Sequence, residues 1–249
     1  MSSLAHNPIF RPAGAESLQQ LVDASSQLSL KQGERILSEG EPAKFLYSLE
    51  RGAVKVFHRS ENGDEVLLKL FRAPAVFGEA EALVGIPHME NVETTEPSEL
   101  LAMPIRSVLR FLRAEPECAV RMLIDVSARL AIAAYNEKSL AFHPSTVRLA
   151  NYLVDYLNWT LRDADSELRI DLTQDQMASA IGVTRRSVAK DMIDWQEDGI
   201  LQRQGRGYIV CDIEALRRYA DSSRLSLAYD LDNLFENLGL EDGEDGGTE

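Results

Sequence analysis

One segment constrains this 249-residue chain more than any other: Leu172–Leu201, LTQDQMASAIGVTRRSVAKDMIDWQEDGIL. Thr173 followed by Gln176 has the form of a capping box and starts a helix at about 174. Met177, Ala178 and Ile181 supply its apolar face. Gly182 stands where a tight turn needs a residue free to take positive φ. Thr184 then caps a second helix running to about 197, with Val188, Met192 and Trp195 as an inward stripe. Arg185, Arg186, Ser187 and Lys190 are left on its outer face. Two short helices joined by a glycine turn, with basic residues opening the second, form a helix–turn–helix whose second helix can lie in a DNA major groove.

A plain helical hairpin with a solvated basic patch is the competing reading, and the residues after the second helix weaken it. Gly199 ends that helix, and ILQRQGRGYIV reads as two strands around Gln204–Gly207, a β wing. Arg203 and Arg206 fall where a wing grazes phosphates. With Thr173, Gln174, Thr184 and Ser187 they are the expected phosphate or cap positions. Arg185, Arg186 and Lys190 are the expected readers of base edges.

The net charge of −14 argues against a nucleic-acid partner only until its distribution is seen. Residues 230–249 hold eight acids and no Lys or Arg, which leaves 26 basic against 32 acidic residues elsewhere. Affinity for DNA follows the local field where phosphates dock, so a contiguous basic cluster suffices.

The rest of the chain divides into distinct patterns. Residues from about 20 to 105 carry short apolar runs broken by Gly, Pro and charged pairs, with a hairpin signal at Asn62-Gly63, and read as a small β-sandwich or barrel-like roll, in a domain taken as 20–115. After Pro116 a long stretch free of Gly and Pro reads as one helix to 142, with Val120, Leu123, Ser127, Leu130, Ala134 and Ala141 along a stripe. That stripe is either the buried side of a bundle helix or a dimer seam in which Ala and Ser allow close approach. Pro144 marks a hinge, a helix follows at 145–161, residues 163–167 form a polar turn, and Arg169–Leu172 form a short strand. Asp212 caps a helix at 213–220. Residues 1–19 are then an N-terminal extension, 143–224 a winged helix–turn–helix domain, and 225–249 an acidic tail. In the tail Leu227, Leu231, Leu234 and Leu238 form a stripe that packs on its own domain, binds a partner, or belongs to an acidic segment competing with DNA, and the closing EDGEDGGTE is expected to be disordered.

Other function classes find little support. No apolar run approaches the ~20 residues of a membrane-spanning helix, and the N-terminus lacks the form of a secretory signal. Two cysteines, Cys118 and Cys211, cannot make a disulfide framework or a four-thiolate metal site, which suits a reducing cytoplasm. The histidines His6, His58, His88 and His143 are scattered, and nothing assembles a nucleophile with a base, so no catalytic residue, metal or cofactor is expected.

In this order, a β-roll, a long helix, a hinge and a winged helix–turn–helix resemble the CRP/FNR family of bacterial transcription regulators. The resemblance covers roughly residues 20–220. It is carried by LKQGERILSEGEPAKFLYSLERGAVKVF (30–57), Phe77-Gly78-Glu79 and IGVTRRSVAKDM (181–192). It implies an α+β chain: a cyclic-nucleotide-binding-like β-roll, a dimerisation helix at 116–142 and a DNA-binding domain. The expected partners are double-stranded DNA, a second copy of the chain and RNA polymerase, and the outcome is activation or repression according to where the operator lies.

Departures from the family's pattern narrow this further. In nucleotide-responsive relatives the Gly-Glu opens a phosphate-binding cassette closed by Arg-Ser or Arg-Thr. Here Gly78 and Glu79 are followed by Pro87-His88-Met89-Glu90-Asn91, and no Arg lies between Arg72 and Arg106. A phosphate would face Glu79, Glu81, Glu90, Glu93 and Glu96 without a compensating cation. Ala133 and Ala134 stand where relatives offer hydroxyls to the base. Binding of cyclic AMP in the family's manner is therefore not expected. Gly78, Glu79, His88 and Met89 remain as a weak effector pocket. Two isolated cysteines do not hold an iron–sulfur cluster, and haem on a lone His88 or His6 has little support. A small-ligand sensor, for a cyclic dinucleotide or another effector that switches DNA binding, is the alternative.

On the DNA side, relatives that read TGTGA-like half-sites present Arg, Glu, then Arg. The positions here hold Arg185, Arg186 and Lys190. Arg185 suits guanine O6 and N7. Arg186 replaces a carboxylate that would accept from cytosine, so the half-site is expected to differ there.

Overall fold

A computed structural model describes residues 3–59, 65–160, 167–223 and 231–240. Asn62-Gly63, residues 163–166, Leu227 and the closing acidic residues lie outside the described residues. In chain order, a 3₁₀ turn at Ser3–His6 precedes α1 (Ala15–Asp23), β1 (Ser26–Leu30), β2 (Arg35–Leu37), β3 (Phe45–Arg51), β4 (Ala53–Arg59), β5 (Glu65–Arg72), β6 (Ala75–Phe77) and α2 (Glu79–Val84). Then come β7 (Asn91–Thr94), β8 (Ser98–Pro104), α3 (Ile105–Ala114), α4 (Pro116–Phe142), α5 (Ser145–Thr160), β9 (Arg169–Ile170) and α6 (Gln174–Ile181). The chain continues with α7 (Arg185–Glu197), β10 (Leu201–Gln204), β11 (Gly207–Val210), α8 (Ile213–Tyr219) and α9 (Leu231–Asn237).

Two units result. The first comprises Met1–Val54, Phe71–Ala128 and Tyr229–Glu249; the second comprises Lys55–Leu70 and Arg129–Ala228.

In the first unit, β1, β8, β3 and β6 form an antiparallel sheet with Leu46 opposite Met103 and Ser48 opposite Leu101. A second four-stranded sheet has the order β2-β7-β4-β5, with Leu37 opposite Val92. The turn from β3 to β4 requires a glycine: Gly52 has φ +89°, and a Cβ there would lie 2.7 Å from the Pro97 carbonyl. The core joins the sheet to its helices through Leu46, Leu101, Met103, Val108 and Phe111.

The N-terminal segment belongs to that core. Leu4, Ile9 and Phe10 are buried, and Phe10 packs against Phe111 with ring centroids 5.8 Å apart. The boundary expected between an extension at 1–19 and a roll at 20–115 therefore falls inside α1. The described part of the tail behaves likewise. Phe235 is buried there on the first unit's core, Leu231 of the leucine stripe packs half-buried against the same core, and Leu238 stays exposed. Of the alternatives set out for the tail, α9 packs on the chain's own fold, within the first unit.

In the second unit, α5–α8 and the small sheet β10-β11-β9 enclose a core of Leu149, Leu153, Met177, Val188, Met192, Trp195 and Leu216. Residues 55–70, which supply most of β4 and β5, also cluster with this unit. Leu67 and Leu70 pack against its core, and the Tyr152 hydroxyl donates to the Leu67 carbonyl at 3.2 Å.

Candidate nucleic-acid interface

Local chemistry sets the helix pair. Gln176 N–H donates to Thr173 Oγ1 at 3.2 Å, and Thr173 N–H donates to Gln176 Oε1 at 2.9 Å, a complete capping box. Gly182 ends α6 at φ +65°, and the Val183 N–H closes back on the Ala178 carbonyl at 3.0 Å. Thr184 caps α7 by accepting from the Ser187 N–H at 3.3 Å.

Helix α7 buries Val188, Asp191, Met192 and Trp195. Arg185, Arg186 and Lys190 are exposed together on its first turns. Arg185 Nε lies 3.7 Å from Asp175 on α6, but both side chains are mostly solvated, so the pairing leaves the guanidinium available. Of the nearby acids, Asp191 is turned inward and accepts from Thr146 Oγ1 of α5 at 2.8 Å. Its charge is withdrawn from the basic face.

The wing is a hairpin, β10 against β11 with Gln204 opposite Gly207, and Arg203 and Arg206 are exposed on it. Arg169 of β9 braces it, donating from Nε to Asp171 at 2.6 Å and from Nη1 to Gln204 at 2.7 Å. Gly207 packs against the Ile170 carbonyl, where a Cβ would collide. Gln174, expected at a phosphate, is half-buried and donates to the Tyr208 hydroxyl at 3.0 Å, a bond that ties α6 to the wing. Thr173 is exposed but engaged in its capping box, and Ser187 is half-buried beside the Thr184 cap.

The weak effector positions do not form one surface. Gly78 takes φ +79° before α2, with the Tyr47 ring 3.2 Å from where its Cβ would be. Glu79 and His88 are buried, with His88 Nδ1 4.0 Å from Glu81, whereas Met89 is exposed. Two of the acids set against a phosphate have cations after all: Glu93 pairs with Arg35 at 3.4 Å and Glu96 with Arg72 at 3.6 Å. Neither cation belongs to residues 73–105; the fold brings each to its acid from an earlier strand.

Along α4 every stripe residue is exposed: Val120, Leu123 (64%), Ser127, Leu130 (69%), Ala134 and Ala141. At the corner where α4 meets α5 lies a polar cluster that sequence reasoning missed. Tyr135 donates to Asp221 Oδ2 at 2.8 Å and lies 3.3 Å from His143 Nδ1. Ser139 Oγ is 3.1 Å from the same nitrogen. The Asp221 N–H donates to Asn151 Oδ1 at 2.9 Å. Hydrogen bonds from Ser223, then from Tyr135, together with the nearby His143, hold the Asp221 carboxyl down at about 2. Asp221-Ser222-Ser223 is a turn-forming sequence, the one local signal of it.

Among the described residues no group of three His, Cys, Asp or Glu side chains could hold a metal ion, and no helix is long and apolar enough to cross a membrane.

Residues 27–115 match the cyclic nucleotide-binding domain family, and residues 147–219 match the Crp-like helix-turn-helix domain family. A CRP-like cAMP-activated global transcriptional regulator of Mycobacterium tuberculosis is 26% identical over 219 residues, covering 87% of this chain and 98% of the relative. A global nitrogen regulator of Nostoc is 30% identical over 173 residues, covering 68% of this chain and 78% of the relative. The solved structure of a CRP/FNR-family transcriptional regulator from Thermus thermophilus is 24% identical, covers 80% of this chain and 100% of its own, and aligns with a TM-score of 0.62. A roll, a long helix and a capped helix–turn–helix with its wing, matched along nearly the whole length of such regulators, have one reading: the chain belongs to the CRP/FNR family of DNA-binding transcription regulators.

Proposed function

We propose that the chain acts as a homodimer in the cytoplasm, reading a two-fold symmetric operator through α7 without cyclic AMP. One observation carries the reading: Arg185, Arg186 and Lys190 stand exposed together on the first turns of a capped helix whose own first acid, Asp191, faces inward, with Arg185 only loosely paired to the solvated Asp175. Arg185 contacts guanine, Arg186 faces a base pair that differs from TGTGA, and Lys190 donates to guanine or phosphate. Thr184, Ser187, Arg203 and Arg206 hold the phosphates and provide most of the salt-dependent affinity.

The exposed stripe on α4 supports a seam between two copies, since Leu123 and Leu130 would otherwise remain in water. Pairing sets two reading heads about one turn of DNA, ~34 Å, apart, so a palindrome matches the symmetry of the protein. The bound dimer would then recruit or obstruct RNA polymerase according to operator position. Independence from cyclic AMP rests on the absence of any Arg between Arg72 and Arg106, and on Ala133 and Ala134 in place of hydroxyls.

Selection from a random duplex library, with and without cyclic AMP, tests the whole reading. The expected result is a palindrome recovered equally in both arms, with half-sites departing from TGTGA at one base pair. Recovery of any operator only when a nucleotide is added would overturn it.

A further inference from the structure

The wing ends in a point. Gln204 of β10 stands opposite Gly207 of β11, so the turn between them is Gly205 and Arg206 alone. Gly205 has φ +59°, the sign that two-residue hairpin turns favour at this position, and nothing lies within 4 Å of where its Cβ would be. Gly207 is buried, and a Cβ there would collide with the Ile170 carbonyl and lie 3.1 Å from Asp171 Oδ1. Arg206 is thus the one side chain of the turn, set between two glycines, and it is exposed.

The base beneath this point is braced. Arg169 of β9 donates to Gln204 at 2.7 Å and to Asp171 at 2.6 Å. The Asp171 N–H donates to the Tyr156 hydroxyl of α5 at 3.3 Å, and Gln174 of α6 donates to the Tyr208 hydroxyl at 3.0 Å. The Asp171 carboxylate is matched by Arg169, and among the described residues neither Arg203 nor Arg206 has an ion-pair partner. The start of α6 also fixes the tip relative to the reading helix. Asp175 lies 3.7 Å from Arg185 of α7, while the adjacent Gln174 holds β11. All of these residues belong to the second unit.

Wing and reading helix therefore meet a duplex together. A helix seated in the major groove has a minor groove, only ~6 Å wide, on the far side of each phosphate strand. A hairpin tip with bulky neighbours does not enter such a slot, but one guanidinium between glycines does. The groove is narrow and its potential most negative over A·T runs, which draw arginine side chains in. We infer that Arg206 enters the minor groove beside the bases read by α7, so that the operator is selected by groove width there and favours A·T-rich flanks. The inference rests on the DNA-reading assignment above and extends it: Arg203 stays at the phosphates, and Arg206 passes between them.

The test uses the full chain and duplexes that keep the selected half-sites but differ in the base pairs beside them: A·T, G·C or inosine·cytosine runs. Inosine lacks guanine's 2-amino group, so its pair with cytosine keeps the major-groove acceptors of G·C while removing the donor that marks G·C in the minor groove. Affinities are read at one salt concentration for the unaltered chain, Arg206→Ala and Arg203→Ala. The unaltered chain is expected to bind the A·T and inosine duplexes about five- to tenfold more tightly than the G·C duplex. In Arg206→Ala the three affinities converge, whereas in Arg203→Ala all three weaken and their ratio stays. Equal binding of the A·T and G·C duplexes by the unaltered chain overturns the inference. So does an inosine duplex that behaves like G·C, or a preference that persists in Arg206→Ala. In each of those cases the half-sites are still bound and the operator reading stands. If no duplex is selected at all, the operator reading fails and the wing inference falls with it.

Discussion

Arg185 and Asp221 hold their charges for different ends. Arg185 is solvated and only loosely paired with Asp175, so little must be broken before its planar fork meets guanine. Replacing it with alanine is expected to cost about 1–3 kcal/mol of operator affinity and to relax selectivity at a single base pair. Fluorescence anisotropy against the selected site and its point variants measures both; an equal loss on all duplexes would make Arg185 a phosphate contact. Asp221, in contrast, is fixed in place. Ser223 and Tyr135 favour its carboxylate and hold the group at about 2, below an ordinary aspartate. The stabilisation is therefore complete above the usual aspartate range near ~4 and fades as pH falls toward the depressed value. Denaturation midpoints taken between pH 5 and 2 are expected to fall more steeply for the natural chain than for Asp221→Asn, which starts lower at neutral pH.

At the scale of elements, the α6–α7 pair was legible in advance because its determinants are local. The capping box and the threonine cap each reach three residues along the chain, and the glycine turn closes Val183 on Ala178 five residues before it. Gly182 is the sharpest of these: at φ +65° it holds a left-handed conformation that a Cβ makes costly. Gly182→Ala is expected to lower unfolding stability by about 1–2 kcal/mol, read from urea denaturation. Elements whose burial depends on distant partners were not legible. The tail's leucines suggested its buried side, yet the deepest residue of α9 is Phe235, outside that stripe, with only Leu231 of the stripe beside it on the first unit's core. Strand β5 is half-buried along its entire length, so no alternation announces that part of it joins the second unit. The acids of the cassette region looked uncompensated because Arg35 and Arg72 reach Glu93 and Glu96 only through strand pairing or a loop.

For the whole molecule, a net charge of −14 coexists with a basic reading face because Arg185, Arg186 and Lys190 are exposed together while Asp191 faces inward. Leu123 and Leu130, the most exposed of the large apolar residues in the α4 stripe, are the handle on assembly. Changing both to glutamate places like charges across the proposed seam. The expected outcome in sedimentation velocity is a shift from dimer to monomer, with operator binding falling in step. A dimer that survives both changes would place the seam elsewhere.

The chain's two thiols differ in a way that can be exploited. Burial in the first unit's core, with the charge of Glu115 adding to it, pushes the Cys118 thiol up to about 12, whereas Cys211 is exposed where the wing's last strand ends. A maleimide dye added to the native protein should attach at the second cysteine alone, as peptide mass mapping would verify. Nature has thus left an optical reporter's mounting point beside the wing, and a fluorophore there could register each docking on a duplex without any engineered residue.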